Sequence, residues 1–103
     1  MKRYDVRPAS EGGQTGQSRL VVVLQNEHLS DLATVVVAPL FLRQELPEIR
    51  RLRVIVQVKR KAYLVAFDRL AALPVSRLGP AVANLADDSY AFSDALDFLF
   101  KGF

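Results

Sequence analysis

The apolar residues of this chain fall into short runs separated by polar, glycine- and proline-containing breaks, the pattern of a β-rich fold. Positions 2–7 alternate weakly and predict a short first strand. Positions 8–18 read Pro-Ala-Ser-Glu-Gly-Gly-Gln-Thr-Gly-Gln-Ser and hold three of the five glycines, which predicts a flexible loop at the tip of a long hairpin. Residues 20–24, Leu-Val-Val-Val-Leu, predict a buried strand. Residues 26–34 make a polar connection, and a third strand over 35–38 is expected to stop at Pro39 or lie at a sheet edge. Over 41–48 the pattern suits a helical turn broken at Pro47.

The clearest alternation follows. Leu52, Val54, Val56 and Val58 share one face, while Arg53, Ile55 and Gln57 share the other. Lys59-Arg60-Lys61 is a basic turn, and 62–67 returns as the partner strand. A turn or short helix is expected at 68–73, then an extended segment over 74–79 that closes on Gly79. The last element is a helix, with Asp87, Asp88 or Ser89 to cap it. Phe92, Ala95, Leu96, Leu99 and Phe100 recur at helical spacing as its apolar face. Tyr90, Asp94, Asp97 and Lys101 form a polar stripe, and Phe98 lies off the main apolar face. The expected fold is mainly β with a C-terminal α-helix: five or more short antiparallel strands in a small barrel or curled sheet. No repeat divides residues 1–103, so one domain is expected.

Composition narrows the chemistry. Half of the residues are apolar, enough to build a core, and a second subunit would extend the burial available to so small a unit. There is no cysteine, which excludes disulfides, thiolate zinc sites and cysteine nucleophiles. No apolar run approaches the roughly 18 residues of a membrane span, and the basic N-terminus lacks the apolar core of a signal peptide. A soluble cytoplasmic protein is the expectation. Charge is uneven: seven basic residues lie between Arg43 and Lys61, and four aspartates follow Ala81 against Lys101 alone. Such asymmetry suits either solvated strand edges or an acidic partner at one face.

No motif announces catalysis. His28 is the only histidine, and Asp31 beside it is not enough for a metal site. Gly12, Gly13 and Gly16 lack the lysine of a phosphate loop. Asp97 is spaced to pair with Lys101 at i, i+4. Lys59-Arg60-Lys61 beside Tyr63 suits phosphates, and a small basic barrel could also cleave RNA with arginine as a transition-state clamp. The strand faces offer no interleaved aromatics for base stacking. No cofactor or metal is expected.

Read in order, Leu73-Pro-Val-Ser-Arg-Leu-Gly79, Val82-Ala-Asn-Leu85 and Ala95-Leu-Asp-Phe-Leu-Phe-Lys-Gly-Phe103 resemble the closing stretch of the CcdB toxins. That family carries Pro-Val-Ser, a glycine, Val-Ala-x-Leu, and a helix ending in aromatic-x-Gly-apolar at the terminus. Residues 19–25 and 35–40 are similar to its second and third strands, while 8–18 and 41–51 diverge. The resemblance implies an SH3-like antiparallel barrel related to the MazF fold, a homodimer, and a toxin of a type II toxin–antitoxin pair. Such a toxin is not an enzyme. It binds the A subunit of DNA gyrase, traps the gyrase–DNA cleavage complex, and is neutralised by a cognate CcdA-like antitoxin that folds onto it. No membrane and no sequence-specific nucleic acid enter as partners.

By position, the gyrase-binding residues would be Lys101, Gly102 and Phe103, with Asp94 and Asp97 further up the helix. The family's usual ending is Trp-Gly-Ile, so Lys101 replaces an aromatic anchor. Gly102 would permit a turn and a close approach that a Cβ obstructs. Phe98, Leu99 and Phe100 are assigned to dimer or core packing. Two other readings stay open: an endoribonuclease of the MazF type, relying on Arg50, Arg51 or Lys59, and a homologue that no longer poisons gyrase.

Overall fold

The computed structural model describes residues 1–10, 18–26 and 32–102. Its elements are β1 (Asp5–Ser10), β2 (Ser18–Val23), β3 (Thr34–Leu42), β4 (Arg53–Val58), β5 (Lys61–Ala66), β6 (Ala71–Pro74), β7 (Ala83–Asn84) and α1 (Ser89–Lys101). The strand order is β4-β5-β3-β2-β1-β7, with β6 also paired to β3, and every pairing is antiparallel. The sheet curls into a half-barrel closed by the C-terminal helix. The mainly β architecture with one terminal helix expected from the pattern is therefore present.

β2 and β3 are covered on both faces, which explains why residues 20–24 are continuously apolar rather than alternating. On one face Val22, Leu24, Ala38 and Leu40 join Phe92 and Ala95 of α1 in the larger core cluster. On the other, Val21, Val23, Val35 and Val37 pack with Leu73, Val75 and Leu78. β4 is covered on one side only, so Val56 and Val58 are buried while Ile55 and Gln57 face outward, as their alternation predicts.

Three local expectations change. β3 runs through Pro39 to Leu42. The Val36 carbonyl accepts the Leu24 amide at 3.0 Å on the β2 side, so alternate residues point their backbone to the opposite edge. There the β6 pairing ends at Val37 and the β5 pairing begins at Leu40, and the ring nitrogen of Pro39 falls in the gap between them. Phe41 and Leu42 belong to β3, and the helical turn expected after them is a hydrogen-bonded reverse turn, with the Glu45 amide donating to Leu42 at 2.8 Å. Residues 71–74 form a strand between two 3₁₀ turns, Phe67–Arg69 and Val75–Arg77, so the segment expected to be extended is partly helical.

The hairpin halves β1 and β2 pair from Val6↔Val22 to Ser10↔Ser18, which places Pro8 in a strand; residues 11–17 of the expected loop lie outside the described residues, as do His28 and Asp31. β4 and β5 meet through the two-residue turn Lys59-Arg60, both at positive φ (49° and 69°), as type I′ geometry demands. Gly79 is required by contact: a Cβ there would lie 2.8 Å from Cγ of Pro8, and its amide donates to the Pro8 carbonyl at 2.8 Å.

The helix is set up from the opposite end of the chain. Asn84 donates to the Arg3 carbonyl at 3.1 Å and to Asp5 at 3.0 Å, while its own oxygen accepts the Ala86 amide at 2.9 Å. Burial opposes charge on Asp5, but the bonds from Asn84 and the Lys2 amide, with the Arg7 charge, hold its pKa below the usual value. A 3₁₀ turn, Ala86–Asp88, leads into α1, and the Asp88 side chain makes no capping bond. Burial and the neighbouring Asp87 instead raise the Asp88 pKa.

Phe92 has no exposed surface and packs against Tyr4 and Phe67, with ring centroids 5.7 and 5.3 Å away. Phe92→Ala is expected to destabilise the protein by about 3–5 kcal/mol, read as a lower urea midpoint. Because the Asp5 pKa is depressed on folding, its stabilisation is complete above roughly pH 4 and is lost as pH falls toward the lowered folded value. Asp5→Asn should therefore be less stable at neutral pH and show a shallower acid branch in a stability–pH profile.

Candidate functional site: the outer end of the terminal helix

Each helical residue advances about 100° around the axis, and this decides which side chains α1 can offer. Phe92 and Ala95 are fully buried, and Leu96 and Leu99 are half-buried beside them. Phe100 stands eight residues beyond Phe92 and has turned about 80° from that line. It is 73% exposed, so it is not a core residue of the described chain, although the apolar spacing had placed it on the inner face. Tyr90, at 88% exposed, and Asp97 and Lys101 point away from the sheet. Lys101 Nζ lies 3.9 Å from Asp97, the i, i+4 pair expected from the spacing, and both are well exposed.

Phe98 is half-buried on the opposite flank, and its cover comes from outside the helix. The Arg51 guanidinium sits 4.5 Å from the centre of its ring. Nε and Nη2 of the same arginine donate to the two Asp94 oxygens at 3.1 and 2.9 Å. The hydrogen bonds with Arg51 pull the Asp94 pKa below its usual value and raise that of Arg51. Asp94 thus differs from Asp97: both were candidates for a partner, but the Asp94 carboxylate is already engaged within the chain.

The helix ends on Gly102, at φ +81°, whose amide donates to the Phe98 carbonyl at 3.0 Å. This is the left-handed cap at which a glycine carries no steric penalty. A Cβ on Gly102 would meet nothing within 4 Å in the described chain, so what the fold itself asks of glycine here is the left-handed backbone. Phe103 lies outside the described residues.

Part of the charge asymmetry of the sequence is taken up by ion pairs within the fold. Arg51 pairs with Asp94, Arg53 with Asp68 at 2.9 Å, and Arg43 with Glu48 at 3.1 Å. Lys59, Arg60 and Lys61 remain exposed at the hairpin tip. A second basic feature has no run in the sequence to announce it. Arg19, Arg69 and Arg77 line an open groove of about 240 Å³ together with Val21, Val37 and Leu73; among the described residues no acidic side chain lines it, and Arg19 is paired with Glu45 at 3.8 Å just outside it. Arg19 also donates to the Leu40 carbonyl at 3.0 Å and stacks 4.1 Å from Phe41, while Arg69 approaches that ring to 5.1 Å. Arg50, Arg51 and Lys59, the basic residues singled out for RNA chemistry, do not line this groove. The described residues hold no group of three or more metal-ligating side chains, and no helix among them is long and apolar enough to cross a membrane.

A half-barrel capped by a terminal helix is also the fold of several solved toxins. The Mycobacterium tuberculosis toxin MazF-mt6 matches with a TM-score of 0.76 at 24% identity, over 94% of this chain and 96% of that one. An endoribonuclease from a mycobacterial species, solved in complex with its cognate antitoxin, matches with a TM-score of 0.78 at 16% identity, over 98% and 95%. An Mtb toxin matches with a TM-score of 0.72 at 24% identity, over 91% and 100%. No curated protein sequence matches. The fold is therefore that of the small toxins of toxin–antitoxin systems. The family model described as CcdB protein matches residues 3–102, and the chain belongs to the CcdB family.

Gly102→Ala should fray the last helical turn. The expected result is faster amide exchange over residues 99–102 with little change in the global unfolding midpoint, since the strain of a left-handed alanine, about 1 kcal/mol, falls on an exposed end.

Proposed function

We propose that this chain is the toxin of a type II toxin–antitoxin pair that acts as a cytoplasmic homodimer. It binds the A subunit of DNA gyrase and traps the gyrase–DNA cleavage complex without being an enzyme. The observation that carries this reading is the family match, which extends over the terminal helix to residue 102. In that reading the contact is made by the outer end of α1: Lys101, Gly102 and Phe103, with Asp97 beside them. Lys101 stands where the family usually has tryptophan, and Phe100, one position earlier and exposed, supplies the aromatic surface instead. Asp94 contributes from within, through Arg51, rather than by touching gyrase. Phe98 and Leu99 pack the helix against its own subunit, and a cognate CcdA-like antitoxin neutralises the toxin.

A second reading, an endoribonuclease of the MazF type, is favoured by one observation, the groove lined by three arginines, of which Arg19 is also paired with Glu45. Arginines so placed could hold a phosphodiester and stabilise charge developing on it. The groove is floored by aliphatic residues, with no aromatic lining on which a base would stack.

One set of variants separates the two. Deletion of residues 101–103 should weaken binding to the gyrase A subunit at least tenfold in calorimetry and abolish accumulation of cleaved gyrase–DNA complex, with folding intact. Phe100→Ala should reproduce most of that loss. Arg69→Ala combined with Arg77→Ala should leave gyrase binding unchanged. If the full chain instead cleaves cellular RNA, and the arginine pair alone abolishes it, the endoribonuclease reading replaces the gyrase one.

A further inference from the structure

We propose that Arg51 is a positioning residue for the terminal contact, acting through Asp94 and Phe98 to fix the end of α1 and not by touching the target; this rests on the gyrase-binding reading of that helix end. Arg51 sits at φ +70°, in the left-handed region that disfavours residues with a Cβ. The turn that holds it is closed by the Leu52 and Arg53 amides, which donate to the Ile49 carbonyl at 3.2 and 2.9 Å. Glycine would meet the demands of that backbone without strain. What arginine adds is its side chain, and both of the contacts that side chain makes are with α1.

Asp94 and Phe98 are four residues apart, one turn along the same flank of the helix. A guanidinium can grip both at once, donating two parallel bonds in its plane and laying its face on a ring. A lysine ammonium cannot do the two together. The grip starts beside the core contacts, at Asp94 between the buried Phe92 and Ala95, and reaches one turn further to Phe98, beyond the last fully buried residue of α1. Phe98 also carries the carbonyl that receives the Gly102 amide. The chain of contacts therefore runs from a strained turn, through one guanidinium, to the residue on which the terminal cap is built.

The test uses the full-length protein with Arg51→Gly, Arg51→Lys and Asp94→Asn. Three quantities are measured: the urea midpoint, the exchange rate of the Gly102 amide, and the affinity for the gyrase A subunit. Arg51→Gly relieves the backbone while removing the grip. Its midpoint should stay close to that of the parent, Gly102 exchange should rise about tenfold, and affinity should fall about tenfold. Arg51→Lys should fall between, and Asp94→Asn should follow Arg51→Gly in direction. In a truncated background that lacks residues 101–103 and also carries Phe100→Ala, Arg51→Gly should cost little further affinity, because the contact it positions has been removed. Unchanged Gly102 exchange in Arg51→Gly would overturn the proposal, as would an affinity loss that persists in the truncated background and so marks direct contact. If the parent protein does not bind gyrase, it is the gyrase reading that fails, and Gly102 exchange alone then decides whether Arg51 holds the helix end.

Discussion

Phe92 is the side chain through which the terminal helix is attached to the sheet. Its ring lies between Tyr4, just before the first strand, and Phe67, just after the fifth, so one buried residue joins the two ends of the chain to its middle. Aromatic burial of this kind is the largest single apolar contribution a side chain of this size makes. The attachment point lies in the first half of the helix, with Ala95 as the only other fully buried position. Beyond Ala95 the helix is held only by half-buried residues, Leu96, Phe98 and Leu99, and its last residues project from that anchor. The exposure of Phe100 and Lys101 is a consequence of where the anchor sits, and the direction in which the last residues leave depends on it as well.

The fold was legible wherever burial has a simple period. Alternation over 52–58 marked β4 correctly because one of its faces is covered and the other is not. The continuous apolar run at 20–24 was equally readable, since a strand covered on both faces has no reason to alternate. Pro39 misled for a reason that no local rule contains. Proline is excluded from a strand interior only where its missing N–H would face a partner. Here it faces the gap at which β3 passes from β6 to β5, and that gap is a property of the tertiary arrangement. The strand at 71–74 escaped for a related reason: Ala-Ala-Leu-Pro carries little β propensity, and pairing with β3 supplies what the residues lack.

Of the candidate site, the sequence made one contact legible. Family likeness proposes a working end at 101–103, and helical spacing placed Asp97 against Lys101. Neither could show that Asp94 is engaged, because its partner is 43 residues away and sits on an irregular turn. The apparent division of the sequence into basic middle and acidic end is the same fact seen from the chain. Arginines of the middle were partnered across space with acids elsewhere, Arg51 with Asp94 and Arg53 with Asp68. The regional charge balance therefore said little about these arginines, although the contiguous run Lys59-Arg60-Lys61 is exposed as it reads. The groove of Arg19, Arg69 and Arg77 shows the converse: three basic residues spaced widely along the chain converge because β2 lies beside β3, and β3 beside β6.

The replacement of an aromatic by Lys101 then has a structural context that the sequence lacked. An interface of this kind needs a buried ring near its centre and donors at its rim. A lysine at 101 suits the rim, where it is also favoured by the negative end of the helix dipole. The ring is available one residue earlier, and rotation by about 100° moves it to a different side of the helix. A target that accepts Phe100 must therefore meet α1 from a different angle than one that accepts an aromatic at 101. In the proposed positioning role, the Arg51 contacts with Asp94 and Phe98 would hold the helix against the rotation that erases this difference. On these terms the exchange at 101 alters the approach to the target as well as the strength of the contact, and the two effects are coupled through a residue that touches neither terminus nor target.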